Sequence, residues 1–223
     1  MLALKLGQSL SSSRNPYWLP TDESSLVAWY RKGSEITLNG SDVSSWGDSS
    51  SNGLDMVQAT ASEQPAFSNG ILTFDSANTQ NLQTAGQISL TGEFAIGIRF
   101  NPSAFTGVIL GDNTSTGEFF KLTSNNTIRI KIDATNLDLT LDSGTWTDGS
   151  ILLYRKDPNL IQWYANGVSQ SSSGTLAGTA DIDTIGVRRV DLNPYSGTIT
   201  EIQIYNTISS ALEDNINARL QAL

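Results

Sequence analysis

The residues with most chemical potential in this chain are carboxylates and tryptophans, because histidine and cysteine are both absent. Without imidazole there is no Ser-His-Asp triad and no His-built zinc site, and without thiols no disulfide, thiolate centre or thiol nucleophile. Two strings place acidic or amide side chains at alternate positions, Glu201-Ile202-Gln203-Ile204-Tyr205 and Asp181-Ile182-Asp183-Thr184-Ile185. On a strand, each set would share one face. Retaining glycoside hydrolysis needs two carboxyl groups about 5 Å apart, one as nucleophile and one as acid. The first string has a single carboxylate and the second has aspartates without glutamate, so neither reproduces that pair. The expectation is no catalysis, with Glu201 a strand residue facing solvent.

Trp18, Trp29, Trp46, Trp146 and Trp163 could stack on sugar rings. Trp29 and Trp163 sit in apolar runs and are expected to be buried. Trp18 and Trp46 border polar loops and are the two candidates for contact with a glycan or a partner protein. The balance of 22 acidic against 13 basic residues gives a formal charge of −9, which opposes attraction to nucleic acid or anionic membrane. Residues 1–10 lack the continuous apolar core of a secretory signal, and no segment is long and apolar enough to span a bilayer.

These groups must be positioned by strands. Ile151–Arg155 and Leu160–Ala165 read as a hairpin around Asp157-Pro158-Asn159, and Asn166-Gly167 suits a tight turn from which a third strand leaves at Val168. Ile151-Leu152-Leu153-Tyr154 is apolar at consecutive positions, so both faces of that strand need cover. Further strands are read at 26–30, 43–46, 71–74, 94–100, 119–122, 127–132, 137–141, 184–187 and 197–205. One helix closes the chain, with Ser210-Ala211-Leu212-Glu213 fitting a capping box and Leu212, Ile216, Leu220 and Leu223 forming an apolar stripe. Residues 26–223 therefore form one all-β unit. Residues 1–25 form an arm whose Leu2, Leu4 and Leu6 share one apolar face, suited to adding a strand to this sheet or to a neighbouring subunit's.

Four stretches together resemble the concanavalin A-like lectin/glucanase superfamily, and within it the laminin-G-like domains of bacterial surface and phage structural proteins. They are Leu26-Val27-Ala28-Trp29 with Val43-Ser44-Ser45-Trp46-Gly47-Asp48; residues 58–65 leading to Leu72-Thr73-Phe74-Asp75; Trp163-Tyr164-Ala165-Asn166-Gly167; and residues 197–206 running into the helix. The resemblance implies a two-sheet antiparallel jelly-roll sandwich, often with sugar-binding loops and often with calcium at a sheet rim, and does not imply catalysis. Asp75 follows its strand where relatives place a metal ligand, with Asn78 and Gln80 behind it and Asp181 or Asp183 needed from elsewhere to complete a calcium shell. The arm resembles leucine-bearing N-termini of phage particle proteins.

The reading is a noncatalytic head-decoration or fibre-associated subunit of a phage particle. Such a subunit would be made in the host cytoplasm, displayed on the virion surface, and partnered by the major capsid protein or by copies of itself. The alternative is a carbohydrate-binding module for host-surface glycans, with or without calcium. Deleting residues 1–13 should leave a soluble, cooperatively melting sandwich that no longer joins its assembly; a truncated chain that fails to fold would return the arm to the domain's own sheet.

Overall fold

Residues 18–113, 119–156, 159–188 and 192–223 are described by a computed structural model. Leu2, Leu4 and Leu6 of the arm, and Asp157-Pro158 of the hairpin turn, lie outside the described residues. The doubly apolar hairpin forms as its sequence requires: Gly149–Lys156 pairs antiparallel with Leu160–Ala165, and Val168–Ser169 follows the Asn166-Gly167 turn. It belongs to a sheet that runs, in spatial order, Leu26–Tyr30, Gly197–Tyr205, Phe94–Pro102, Gly149–Lys156, Leu160–Ala165. One rung across it is Tyr30, Ile202, Ile98, Ile151 and Ala165, and all five enter the main core. By the pleat, the next rung points the other way. It is Trp29, Gln203, Gly97, Leu152 and Tyr164.

A second antiparallel sheet supplies the facing half of the core. Its strands are Leu82–Leu90, Ala180–Ile185, Gly107–Gly111, Phe120–Leu122, Thr127–Ile132 and Thr135–Thr140. The rung Leu82, Ile185, Leu110, Phe120, Ile130 and Leu137 packs into the same cluster as the first sheet. Ile36–Asn39, Asp42–Trp46 and Met56–Val57 extend it beyond Leu82–Leu90. The architecture is the two-sheet antiparallel jelly-roll sandwich expected from the sequence, with a C-terminal helix at Ser210–Gln221.

That helix covers the outer face of the first sheet. Leu212, Ile216 and Leu220 are buried against Ala95, Leu152, Tyr154 and Tyr205. The seat is close: a Cβ on Gly97 would lie 2.6 Å from Ile216 Cγ2, so only glycine lets the helix approach that strand. Two sequence expectations are corrected here. The cap is Ser209, whose hydroxyl accepts the Leu212 N–H at 3.2 Å, and not Ser210. Glu213 takes no part in a capping box, because its carboxylate receives Lys156 Nζ at 2.6 Å and the Tyr164 hydroxyl at 3.0 Å. Glu201 and Gln203 do not face solvent either; both are fully buried beneath the helix. Arg219 donates to Glu201 through Nε at 2.5 Å and Nη2 at 3.0 Å, Gln203 donates to Glu201 at 2.8 Å, and the Tyr205 hydroxyl donates to Gln203 at 2.8 Å. The Arg219 guanidinium also lies 4.8 Å from the Trp29 ring centre. Glu201 was expected outside because period two assigns it to the face away from the core; that face is roofed by the helix.

Among the described residues no helix is long and apolar enough to cross a membrane. Truncating Ile216, which is fully buried, should cost about 2–4 kcal/mol. Arg219→Ala should cost about 3–5 kcal/mol by stranding the Glu201 charge. Urea denaturation of both variants is the check, and losses below about 1 kcal/mol in each would unseat the helix from this sheet.

Candidate functional site

Residues 141–148 connect Thr135–Thr140 to Gly149–Lys156, and their backbone is sewn to a neighbouring turn. Leu141 N–H donates to Asn126 O at 2.9 Å and Trp146 N–H to Asn125 O at 2.8 Å. Asp142 is held from the far side. Its N–H donates to Gln170 Oε1 at 3.0 Å, and its carboxylate accepts the Ser171 N–H at 2.9 Å and the Ser171 hydroxyl at 2.5 Å. At the hairpin base Ser150 N–H donates to Asn166 Oδ1 and Asn166 N–H to Ser150 O, both at 2.8 Å. Asn166 and Gly167 take φ of 50° and 72°, the paired positive values of a tight hairpin turn. A Cβ on Gly149 would stand 2.3 Å from Asn166 Oδ1, so glycine there makes room for the carboxamide.

These segments enclose a pocket of about 260 Å³ at one end of the sandwich. Its floor is Phe100 and Trp146. Trp146 lies between Phe100 and Trp163, with ring centres 5.9 Å from each and interplanar angles of 47° and 45°. Asp142, Ser143, Thr145, Thr147, Asn166 and Gln170 form a polar rim, and Val168, 63% exposed, gives it an apolar lip. Trp146 and Ser150 are only 6% and 2% exposed, yet neither Trp146 Nε1 nor Ser150 Oγ has a hydrogen-bond partner among the described residues. A buried polar group without a partner costs about 1–3 kcal/mol, and two of them belong to residues that line this pocket. Among the described residues Asp142 is the one carboxylate in the lining, and no lysine or arginine lines it. The arrangement can hold a small ligand rich in hydroxyls with one apolar face.

The residues singled out from sequence fall elsewhere. Trp46 is fully buried, 5.7 Å from the Tyr30 ring, with its indole N–H donated to Arg31 O at 3.1 Å; it presents no face to a ligand, because the Asp42–Trp46 strand turns it into the core. Trp18 is half-buried against the helix-side cluster and donates to Glu23 Oε1 at 2.9 Å. Neither lines the pocket. Asp75 caps the short 3-10 turn Ser76–Asn78, accepting the Ala77 N–H at 2.9 Å and the Asn78 amide at 3.0 Å. Asp181 accepts the Ser89 hydroxyl at 2.6 Å. Asp183 is buried and accepts the Asn113 N–H at 2.6 Å; burial raises its carboxyl above the ordinary aspartate range, with Asp112 and Asp181 adding to the rise against that hydrogen bond. Among the described residues no group of three or more acidic side chains is placed to hold a metal ion. With Asp75 and Asn78 bonded to each other, the four do not fit a calcium shell.

The sequence reading missed the pocket. Its signal was present in Asp142-Ser143-Gly144-Thr145-Trp146-Thr147-Asp148, a tryptophan inside a polar run. Ser44-Ser45-Trp46-Gly47-Asp48 carries the same signal, so composition could not choose between them.

No protein-family model and no curated protein sequence matches the chain. Solved structures do. A sialidase of Trypanosoma rangeli in complex with sialic acid superposes with a TM-score of 0.57 at 16% identity, over 91% of this chain and 33% of the sialidase. The binding domain of Paraclostridial Mosquitocidal Protein 1 superposes with a TM-score of 0.60 at 12% identity, over 92% of this chain and 53% of that one. The chain thus spans about a third of the sialidase and about half of that binding domain. At these identities the shared property is the β-sandwich fold.

Proposed function

We propose that the chain is a noncatalytic carbohydrate-binding sandwich that seats a sugar against Trp146. The observation that carries this is the pair of buried, unpartnered polar atoms, Trp146 Nε1 and Ser150 Oγ, in an aromatic-floored pocket with a hydroxyl- and amide-rich rim. A sugar meets both demands, since its C–H face packs on an indole and its hydroxyls accept and donate. One of the superposed structures is itself a binding domain, and the sialidase match covers only a third of that enzyme. A single carboxylate in the lining also falls short of the two that glycoside hydrolysis requires. Glu201, the other sequence candidate, is closed off by Arg219.

The reading as a phage-particle subunit rests on the resemblance of the sequence to laminin-G-like domains and on Leu2, Leu4 and Leu6, outside the described residues, whereas the sugar reading rests on a pocket in the structure. A sugar-binding sandwich would also suit a particle surface, and the arm truncation tests that placement separately.

A glycan array probed with the purified chain should show retained ligands. Trp146→Phe, which keeps a ring and removes the N–H, and Ser150→Ala should each weaken binding about tenfold, which is the loss of one hydrogen bond of roughly 1.4 kcal/mol. Ser150→Ala deletes a buried polar atom that lacks a protein partner and changes little volume, so its Tm should hold or rise, whereas Trp146→Phe also empties part of the core and should lower Tm. An array with no retained glycan, or variants that bind as well as the parent, would defeat the proposal.

A further inference from the structure

The pocket's charge pattern says which sugars it should take. Among the described residues its lining carries one formal charge, the Asp142 carboxylate, which is exposed at the rim and held by the Ser171 N–H and hydroxyl. Arg99 is the cation whose strand position borders the site, paired across the ladder with Ser150. Its guanidinium is held by Asp148 at 2.8 Å, and it does not line the pocket. Arg129 is bound to Asp138, and Lys156 to Glu213. Arg155 is committed to the carbonyl oxygens of Gly92, Leu90, Leu176 and Gly178, and Arg219 to Glu201. The protein as a whole is also acidic, at −9.

A carboxylated sugar entering here would meet Asp142 with no countercharge. Recognition of a carboxylate ordinarily uses a bidentate arginine, and among the described residues none lines this pocket. A neutral sugar meets the opposite situation. Its hydroxyls can donate to Asp142, giving a charge-assisted hydrogen bond, while others accept from Trp146 Nε1 and Ser150 Oγ. The volume, about 260 Å³, lies just under the roughly 300–1,000 Å³ of drug-sized sites and suits one ring.

Building on the sugar-binding reading, we propose that the pocket selects a single uncharged hexose or N-acetylhexosamine ring and rejects acidic sugars, with Asp142 as the discriminating residue. The selectivity is therefore opposite to that of a site for sialic acid, despite the fold shared with a sialidase segment.

The test measures dissociation constants of the full chain for matched pairs in which one hydroxymethyl is replaced by a carboxylate: glucose against glucuronic acid, and galactose against galacturonic acid. At least one neutral member should bind tenfold or more tightly than its acidic counterpart at low salt. That ratio should shrink in 0.5 M salt and in Asp142→Asn, which keeps the shape and removes the charge. Equal or tighter binding of the acidic member would overturn the selectivity and leave the sugar-binding reading standing. A ratio unchanged in Asp142→Asn would overturn the role of that residue. Absence of binding by every sugar would remove the underlying reading and the inference together.

Discussion

A carboxylate in the middle of a sheet, taken out of water, is tolerable only if a cation and hydrogen-bond donors reach it. Glu201 imposes that condition here. It is fully buried on Gly197–Tyr205, the second of the five strands, and its closest donors come from the C-terminal helix and the same strand: the Arg219 fork and the Gln203 amide. The pair therefore ties the last helical turns to one position over the sheet. Gly97 permits the close approach, and Leu212, Ile216 and Leu220 turn it into apolar burial. With that roof in place the outer face of the five-stranded sheet is buried where the helix lies, at Ala95, Leu152, Tyr154 and Tyr205, while Asn101 on the same face stays exposed.

The pocket lies at one end of the sandwich, where the core aromatics meet loops. Phe100, Trp146 and Trp163 belong to the main core, and Phe100 and Trp146 also line the pocket beside the 141–148 connection. The rim is arranged before any ligand arrives. Asp142, Gln170, Ser171, Ser150 and Asn166 hold one another through hydrogen bonds of 2.5–3.0 Å. Preordering of this kind lowers the entropy that binding must overcome, which matters for a small ligand with few contacts.

Much of the fold was legible because its rules are local. The run Ile151-Leu152-Leu153-Tyr154 demanded cover on both faces, Asn166-Gly167 demanded a tight turn, and the stripe Leu212, Ile216, Leu220 demanded a sheet to lie on; all three were met. Errors came where a distant element changed a residue's surroundings. Alternation put Glu201 in solvent, and only the helix, arriving from the end of the chain, buries it. Ser209, one residue before the expected cap, was passed over because Glu213 completed a motif while its carboxylate went to Lys156 and Tyr164. The pocket was illegible for the same reason. Trp46 and Trp146 have similar flanking residues, and what separates them is whether the indole N–H finds a carbonyl, as Trp46 does in Arg31, or none, as at Trp146.

The most direct measurement watches that N–H. In ¹H–¹⁵N spectra of the uniformly labelled chain each tryptophan gives an indole signal, and Trp146→Phe identifies the one that belongs to Trp146. Titration with glucose, galactose and N-acetylglucosamine should move that signal saturably for at least one sugar, with the Trp29, Trp46 and Trp163 signals nearly still. A sugar that binds while the Trp146 signal stays in place, or that shifts Trp18 instead, would contradict the assignment of this pocket.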